Sequence, residues 1–320
     1  ALKIALGYQQ HRGKTDKTIL IGRERAYHGV GFGGISVGGL PLNKKYFPLL
    51  ENVDHICSTH NLEKNAFSKG QPNWGKELAE DLLQVIEKHG ADKIAAFITE
   101  PLAGSTGVLV PPKGYLERIR EICTQNDILL IFDEVITGFG RLGAPFAAQY
   151  FDVEPDMITC AKGLTSGTIP MGAVIVKKEI YDAYQDGDEK SIDLFHGYTY
   201  SAHPMAAAAL IATLDVYSED QLFEYIADIS SYWEEAIHSL KGTDHVIDIR
   251  NLGLVAGIEM ESREGKPGTR GYDVFTEGFH NHNLLLRITG DTLALSPPLI
   301  AEKEHIDQIV DILRKIIPNH

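Results

Sequence analysis

An α/β fold is predicted for this 320-residue chain, with a mostly parallel sheet in a large domain and a smaller C-terminal α+β domain. Three observations predict it. Short, wholly apolar runs recur through the first half, amphipathic stretches of helical period separate them, and the texture changes beyond about residue 215. Runs apolar on both faces suit strands covered on both sides, and strand–helix alternation builds a parallel sheet with helices packed against it.

The chain opens directly in a helical pattern (ALKIALGY, residues 1–8) with no cap or leader, so upstream sequence is expected. The runs at 94–99 (IAAFIT), 128–132 (ILLIF), 157–160 (MITC) and 172–176 (GAVIV) read as buried strands, apolar on both faces. Helical patterns occupy 76–89 and 115–126 between them, and an alanine-rich helix begins at His203-Pro204. The division is drawn at 1–215 for the large domain and 216–320 for the small one. In the latter, helical patterns at 221–240, 272–282 and 302–317 frame short runs at 254–260 and 284–288. No internal repeat or low-complexity tract is present.

Composition narrows the function. A formal net charge of −14 argues against a nucleic-acid footprint and gives no support to a basic membrane-surface helix. No apolar stretch reaches the length of a membrane span. Cys57, Cys123 and Cys160 form no CxxC pair, so neither a zinc knuckle nor a disulfide framework is suggested, and Cys123 and Cys160 read as small core residues. A reducing, cytoplasmic setting is expected.

The chemistry gathers at strand ends. Asp133 closes an otherwise apolar strand, where a carboxylate is costly without a cationic or hydrogen-bonded partner. The pattern alone fits a helix-capping or surface acid as well as an acid held against a protonated ring nitrogen. Val135, two residues on, projects the same way if the backbone stays extended. Lys162 ends the next buried strand, where a solvated lysine is the weaker reading. A lysine desolvated there has a lowered pKa and serves as an imine-forming nucleophile. Carboxylate and amine on successive strand ends meet the needs of pyridoxal 5'-phosphate (PLP), which takes a pyridinium partner and an imine-forming amine.

At these residues the sequence resembles the class III (ω-type) aminotransferases of PLP fold type I. Residues 25–29 (RAYHG), 97–102 (FITEPL), 132–141 (FDEVITGFGR), 161–163 (AKG) and 197–204 (GYTYSAHP) occur in that family's order and spacing. The run 22–39 is most similar to the ω-amino acid:pyruvate (β-alanine:pyruvate) group. The resemblance implies transamination from an ω-amino acid or amine to a keto acid, with pyruvate expected. Glutamate-1-semialdehyde aminomutases and dialkylglycine decarboxylases share the framework, and an inactive fragment is a further alternative.

Carried over, Tyr27 and Val135 would wall the two faces of the cofactor ring, and Asp133 would pair with the ring nitrogen. Lys162 would carry the cofactor and move the substrate proton. Glu100 matches a carboxylate near the cofactor's hydroxyl; otherwise it is a plain loop acid. His28 is expected to support Tyr27 and is left outside the catalytic set. Thr199 matches a threonine that binds the cofactor phosphate of the neighbouring subunit, which implies a homodimer with a shared site. Arg287, after three leucines, is either an edge-strand surface residue or a bidentate clamp for a substrate carboxylate.

Complete members of the family are longer at the N-terminus, so the resemblance implies that a phosphate-binding turn and part of the substrate pocket are missing and that cofactor affinity is reduced. Other signals are set aside. The glycines of 29–34 satisfy G-x-G-x-x-G but are read as a flexible loop, since no helix opening is evident after them. His280 and His282 lack a third ligand at metal-site spacing and no metal is expected. Asp186, Asp188 and Glu189 read as a solvated loop.

Overall fold

The computed structural model describes residues 1–185 and 192–320; Asp186, Asp188 and Glu189 lie outside the described residues. Six strands form the larger sheet: β1 (Ile19–Arg23), β2 (Val53–Ile56), β3 (Ile94–Thr99), β4 (Leu129–Asp133), β5 (Met157–Cys160) and β6 (Ala173–Val176). Their order is β2-β1-β3-β4-β5-β6, parallel throughout except for β6.

The period of two along each strand sorts the core. Phe97, Leu130 and Phe132 face one side, packing with Leu82 of the helix Asp81–His89 and with Leu116 and Ile119 of the helix Tyr115–Gln125. Ala96, Ile98, Leu129 and Ile131 face the other, packing with Ala5 and Tyr8 of the helix Leu2–His11 and Ile180 of the helix Lys178–Gln185. All six residues of β3 are buried, each large apolar one stabilising the fold by roughly 1.5–3 kcal/mol.

The smaller sheet is antiparallel, in the order β7-β8-β10-β9, formed by β7 (Val246–Leu252), β8 (Val255–Met260), β9 (Arg287–Thr289) and β10 (Thr292–Leu295). Trp233, fully buried on the helix Leu222–His238, centres a separate apolar cluster between this sheet and the helices Thr269–His282 and Lys303–Ile316.

Several local expectations are corrected. The run 172–176 is not buried on both faces: β6 is an edge strand, paired only with β5 among the described residues, and Val174 and Ile175 are exposed. The pattern at 76–89 is two helices, Gly75–Ala79 and Asp81–His89, broken at Glu80. The glycine run leads into a short helix, Phe32–Val37, rather than staying a loop throughout. A Cβ on Gly34 would lie 2.3 Å from the His28 carbonyl, so the glycine there permits a close backbone approach. The run 284–288 becomes strand only at Arg287, because Asn283 ends the preceding helix in the left-handed conformation. β1, β2, β7 and β10 had no prediction.

The topology fixes where a ligand can sit. The chain runs from β1 outward to β2, then returns to β3 on the other side of β1. Such a switch point opens a crevice at the carboxyl ends of the strands, where Arg23 and Asp133 end β1 and β4, Glu100 follows β3, and Lys162 lies two residues beyond β5.

Candidate active site

A cavity of about 690 Å³ opens at these strand ends, within the size range of cofactor pockets. Tyr27, His28, Glu100, Asp133, Val135 and Lys162 all line it. A second, largely apolar cavity of about 1050 Å³ adjoins it, sharing Val135 and Lys162 and adding Arg287 from the smaller sheet. Lys162 thus stands between the two. Thr199 lies in an exposed turn and lines neither cavity of its own chain.

Asp133 is the last residue of β4 and is buried. One carboxylate oxygen receives a hydrogen bond from the Val135 N–H at 3.2 Å, and the other lies 2.8 Å from Nδ1 of His28. Its neighbour Glu134 is fully buried and accepts hydrogen bonds from the Ala147 and Ala148 N–H groups and the Thr137 hydroxyl. The capping alternative that the sequence left open for Asp133 is not what the structure shows: the neighbouring Glu134 meets the N–H groups at that helix start, while Asp133 faces the cavity. Val135 does not arrive by extended backbone: the chain turns after Asp133, and the turn brings Val135 to the wall.

His28 is more than a prop for Tyr27. Its side chain is buried, Nδ1 is engaged with Asp133, and Nε2 has no hydrogen-bond partner among the described residues. The signal was its place beside Tyr27; nothing in the sequence shows that it reaches Asp133, 105 positions away. The Tyr27 N–H donates to Oε1 of Glu100 at 2.9 Å, leaving Oε2 unpartnered among the described residues. Burial pushes the Glu100 carboxyl up to about 7, with Asp133 adding to the rise and His28, Arg23 and the Tyr27 N–H opposing it.

Lys162 carries a φ of +47°, unusual for a side chain with a Cβ. The geometry is held by packing: the Tyr217 hydroxyl donates to the Gly163 carbonyl at 2.6 Å, and a Cβ on Gly163 would press on Phe139 at 2.8 Å. Sparsely populated backbone conformations of this kind gather at functional sites. The residue is exposed by area, yet the cavity walls exclude enough water to lower its pKa, with Arg287 lowering it further and Asp133 and Glu100 opposing.

An amine, a buried carboxylate at a strand end, an aromatic and an aliphatic wall and an unpartnered buried carboxyl oxygen fit a planar, phosphate-bearing aldehyde cofactor. The first turn of the helix Leu2–His11 also borders the cavity, presenting its N-terminal dipole to that space.

Solved transaminases share this fold. A solved structure described as a transaminase with L-ala superposes with a TM-score of 0.91 at 32% identity, covering 99% of this chain and 76% of that one. A transaminase from the marine bacterium Virgibacillus gives 0.89 at 32% identity, over 99% and 71%. The fold is that of PLP fold type I. Residues 1–317 match the family described as Aminotransferase class-III, and the chain belongs to it. It is 60% identical over 318 residues to the omega-aminotransferase of Caulobacter vibrioides, covering 99% of this chain and 72% of that protein. With the beta-alanine–pyruvate aminotransferase of Pseudomonas aeruginosa it shares 46% over 319 residues, covering 97% and 70%.

Proposed function

We propose that this aminotransferase binds PLP in the 690 Å³ cavity and moves an amino group from an ω-amino acid such as β-alanine, or from an amine, to pyruvate. The observation that carries the reading is Lys162 and Asp133 on adjacent strand ends, facing one cavity, in a chain of this family. The names of its relatives support the substrate pair.

When bound, PLP supplies an electron-accepting ring conjugated to the substrate nitrogen, which stabilises the charge left by proton loss. The protein's groups do the rest. Asp133, held by His28 and the Val135 N–H, would accept a hydrogen bond from the protonated ring nitrogen. Tyr27 and Val135 hold the ring between an aromatic and an aliphatic wall without supplying a competing charge. Glu100, which lines the same cavity, would lie near the cofactor's hydroxyl. The amine of Lys162 would hold the cofactor, and its Nζ would take the substrate's proton and return it. Arg287 binds the carboxylate of the amino or keto acid with its planar fork.

Thr199 serves the phosphate of a neighbouring copy, so the working unit is a homodimer. Exposed apolar residues near it, among them Phe195, Tyr198, Tyr200 and Met205, are of a kind that a second copy would cover. The large and small parts divide near residue 215, and the setting is the cytoplasm. No described helix is long and apolar enough to cross a membrane.

The test is an absorption spectrum of the purified chain with PLP, before and after β-alanine. A protein-bound band that shifts to that of the aminated cofactor, and is lost in Lys162→Ala, supports the reading. A spectrum indistinguishable from free PLP refutes it for this chain. Turnover without added keto acid, or release of carbon dioxide, would instead indicate a mutase or a decarboxylase.

A further inference from the structure

Beneath the cavity lies a cation that the proposed chemistry does not use. Arg23, the last residue of β1, is 1% exposed. Its one hydrogen bond to a described residue runs from Nη2 to the backbone carbonyl of Glu100 at 3.3 Å; Nε and Nη1 have none. No carboxylate among the described residues forms an ion pair with it. The hydroxyl of Tyr115, fully buried on the helix Tyr115–Gln125, faces the Arg23 guanidinium without a well-formed hydrogen bond, and Oε2 of Glu100 is unpartnered among the described residues. A buried guanidinium without a carboxylate is expensive. A nearby carboxyl, itself buried and half-satisfied, is what can offset that cost.

We propose that Arg23 is a positioning residue for Glu100: from the end of β1 its buried guanidinium fixes the backbone of Glu100 and supplies the positive charge beside the carboxyl at the edge of the cofactor cavity. The groups facing that carboxyl from the packed elements are Arg23 on β1, Tyr27 and His28 on the following loop, Asp133 on β4 and Lys162 after β5. Asp133 and burial favour the proton; Arg23 and His28 oppose it. Of the two groups opposing it, His28 is the larger but is committed to Asp133 through Nδ1 and counts only when protonated, whereas arginine keeps its charge at every accessible pH. Arg23 is therefore the constant part of the field. Without it the balance at Glu100 would move toward the protonated carboxyl, whose unpartnered oxygen would present a donor to the cavity instead of an acceptor.

That Glu100 faces a cofactor rests on the proposed function; its coupling to Arg23 does not. The experiment is therefore made on the chain without cofactor. The Glu100 carboxyl is titrated by infrared difference spectroscopy, its band identified by its loss in Glu100→Gln. In Arg23→Met the midpoint should rise by about one pH unit or more. In Arg23→Lys, which keeps the charge, it should stay near that of the unsubstituted protein. An unmoved midpoint in folded Arg23→Met, or a rise in Arg23→Lys equal to that in Arg23→Met, overturns the proposal. Should Arg23→Met fail to fold by circular dichroism, Arg23→Gln removes the charge while keeping hydrogen-bonding capacity, and the same two outcomes apply to it. Failure of the PLP reading would leave this shift untouched.

Discussion

Nδ1 of His28 lies 2.8 Å from Oδ2 of Asp133, joining the loop after β1 to the end of β4. With the Val135 N–H on the other oxygen, the carboxylate is held from two sides. A hydrogen bond to a charged group contributes about 1.5–3 kcal/mol. His28→Ala should therefore weaken PLP binding or slow the first half-reaction roughly 10–100-fold, with little change in the thermal midpoint. Asp133→Ala should cost at least as much in the same half-reaction. Fluorescence titration with PLP and single-turnover kinetics measure both; wild-type behaviour of His28→Ala would leave the contact without a catalytic role.

Lys162 gives a prediction in pH. Its pKa is lowered by burial in the cavity, with Arg287 adding to the effect. Since the free amine is the nucleophile, capture of added PLP should accelerate as pH rises and level off below the ordinary lysine value of 10.5. Arg287→Gln removes one of the lowering charges and should move the plateau upward. Stopped-flow absorbance across pH reads both. A plateau at or above the ordinary value would mean that the cavity does not desolvate the amine.

Arg287 lines the larger cavity beside Lys162 and is exposed. Loss of a bidentate carboxylate contact should raise KM for β-alanine and pyruvate roughly 10–100-fold in Arg287→Gln. An amine donor without a carboxylate should be affected far less. Equal losses for both donors would assign Arg287 to the cavity wall rather than to recognition.

Lys162 and Asp133 were legible because a charged residue at the end of an apolar strand is costly enough to need a reason, and both strands formed where the apolar runs lie. Tyr27 and Glu100 could be carried over from motifs, and the same cavity receives them. His28 and Arg23 were not legible in the same way. The His28–Asp133 contact spans 105 positions, and Arg23 looks like any charged residue until β1 is placed inside the sheet, between β2 and β3. β1 and β2 escaped notice since ILIGR and VDHI are short and carry a charge each. The turn at Val135 shows the converse: the extended-strand argument placed it on the correct wall for a reason the backbone does not bear out.

Glu100 predicts how stability varies with pH. Its carboxyl rises from 4.5 to about 7 on folding, chiefly through burial. Between those values only the native protein holds the proton, so this contribution is fully present below 4.5 and is lost as pH rises through about 7. The amount is on the order of 3 kcal/mol. Thermal or urea midpoints from pH 4.5 to 8 should therefore fall less steeply in Glu100→Gln than in the unsubstituted chain. Parallel curves would show that the carboxyl titrates alike in both states.

Arg250 ties the smaller sheet to the floor of the site. It is 2% exposed on β7 and donates to the Gly107 carbonyl at 2.7 Å, to Asp248 at 2.5 Å and to Glu259 at 2.6 Å. Gly107 belongs to the loop that Ala103 and Leu109 close by a β-bridge, and Ser105 on that loop lines both cavities. His60, Asp248 and Glu259 place ligand-type atoms within 4.8 Å of one another, and the guanidinium supplies the positive charge among them. Arg250→Met strands two carboxylates, one of them fully buried, and should destabilise the fold by about 3–5 kcal/mol. Adding Asp248→Asn removes one stranded charge, so the double variant should recover part of the loss in urea denaturation. A double variant no more stable than Arg250→Met would mean that the arginine acts through its carbonyl contacts, and that the loop rather than the ion pairs sets the cost.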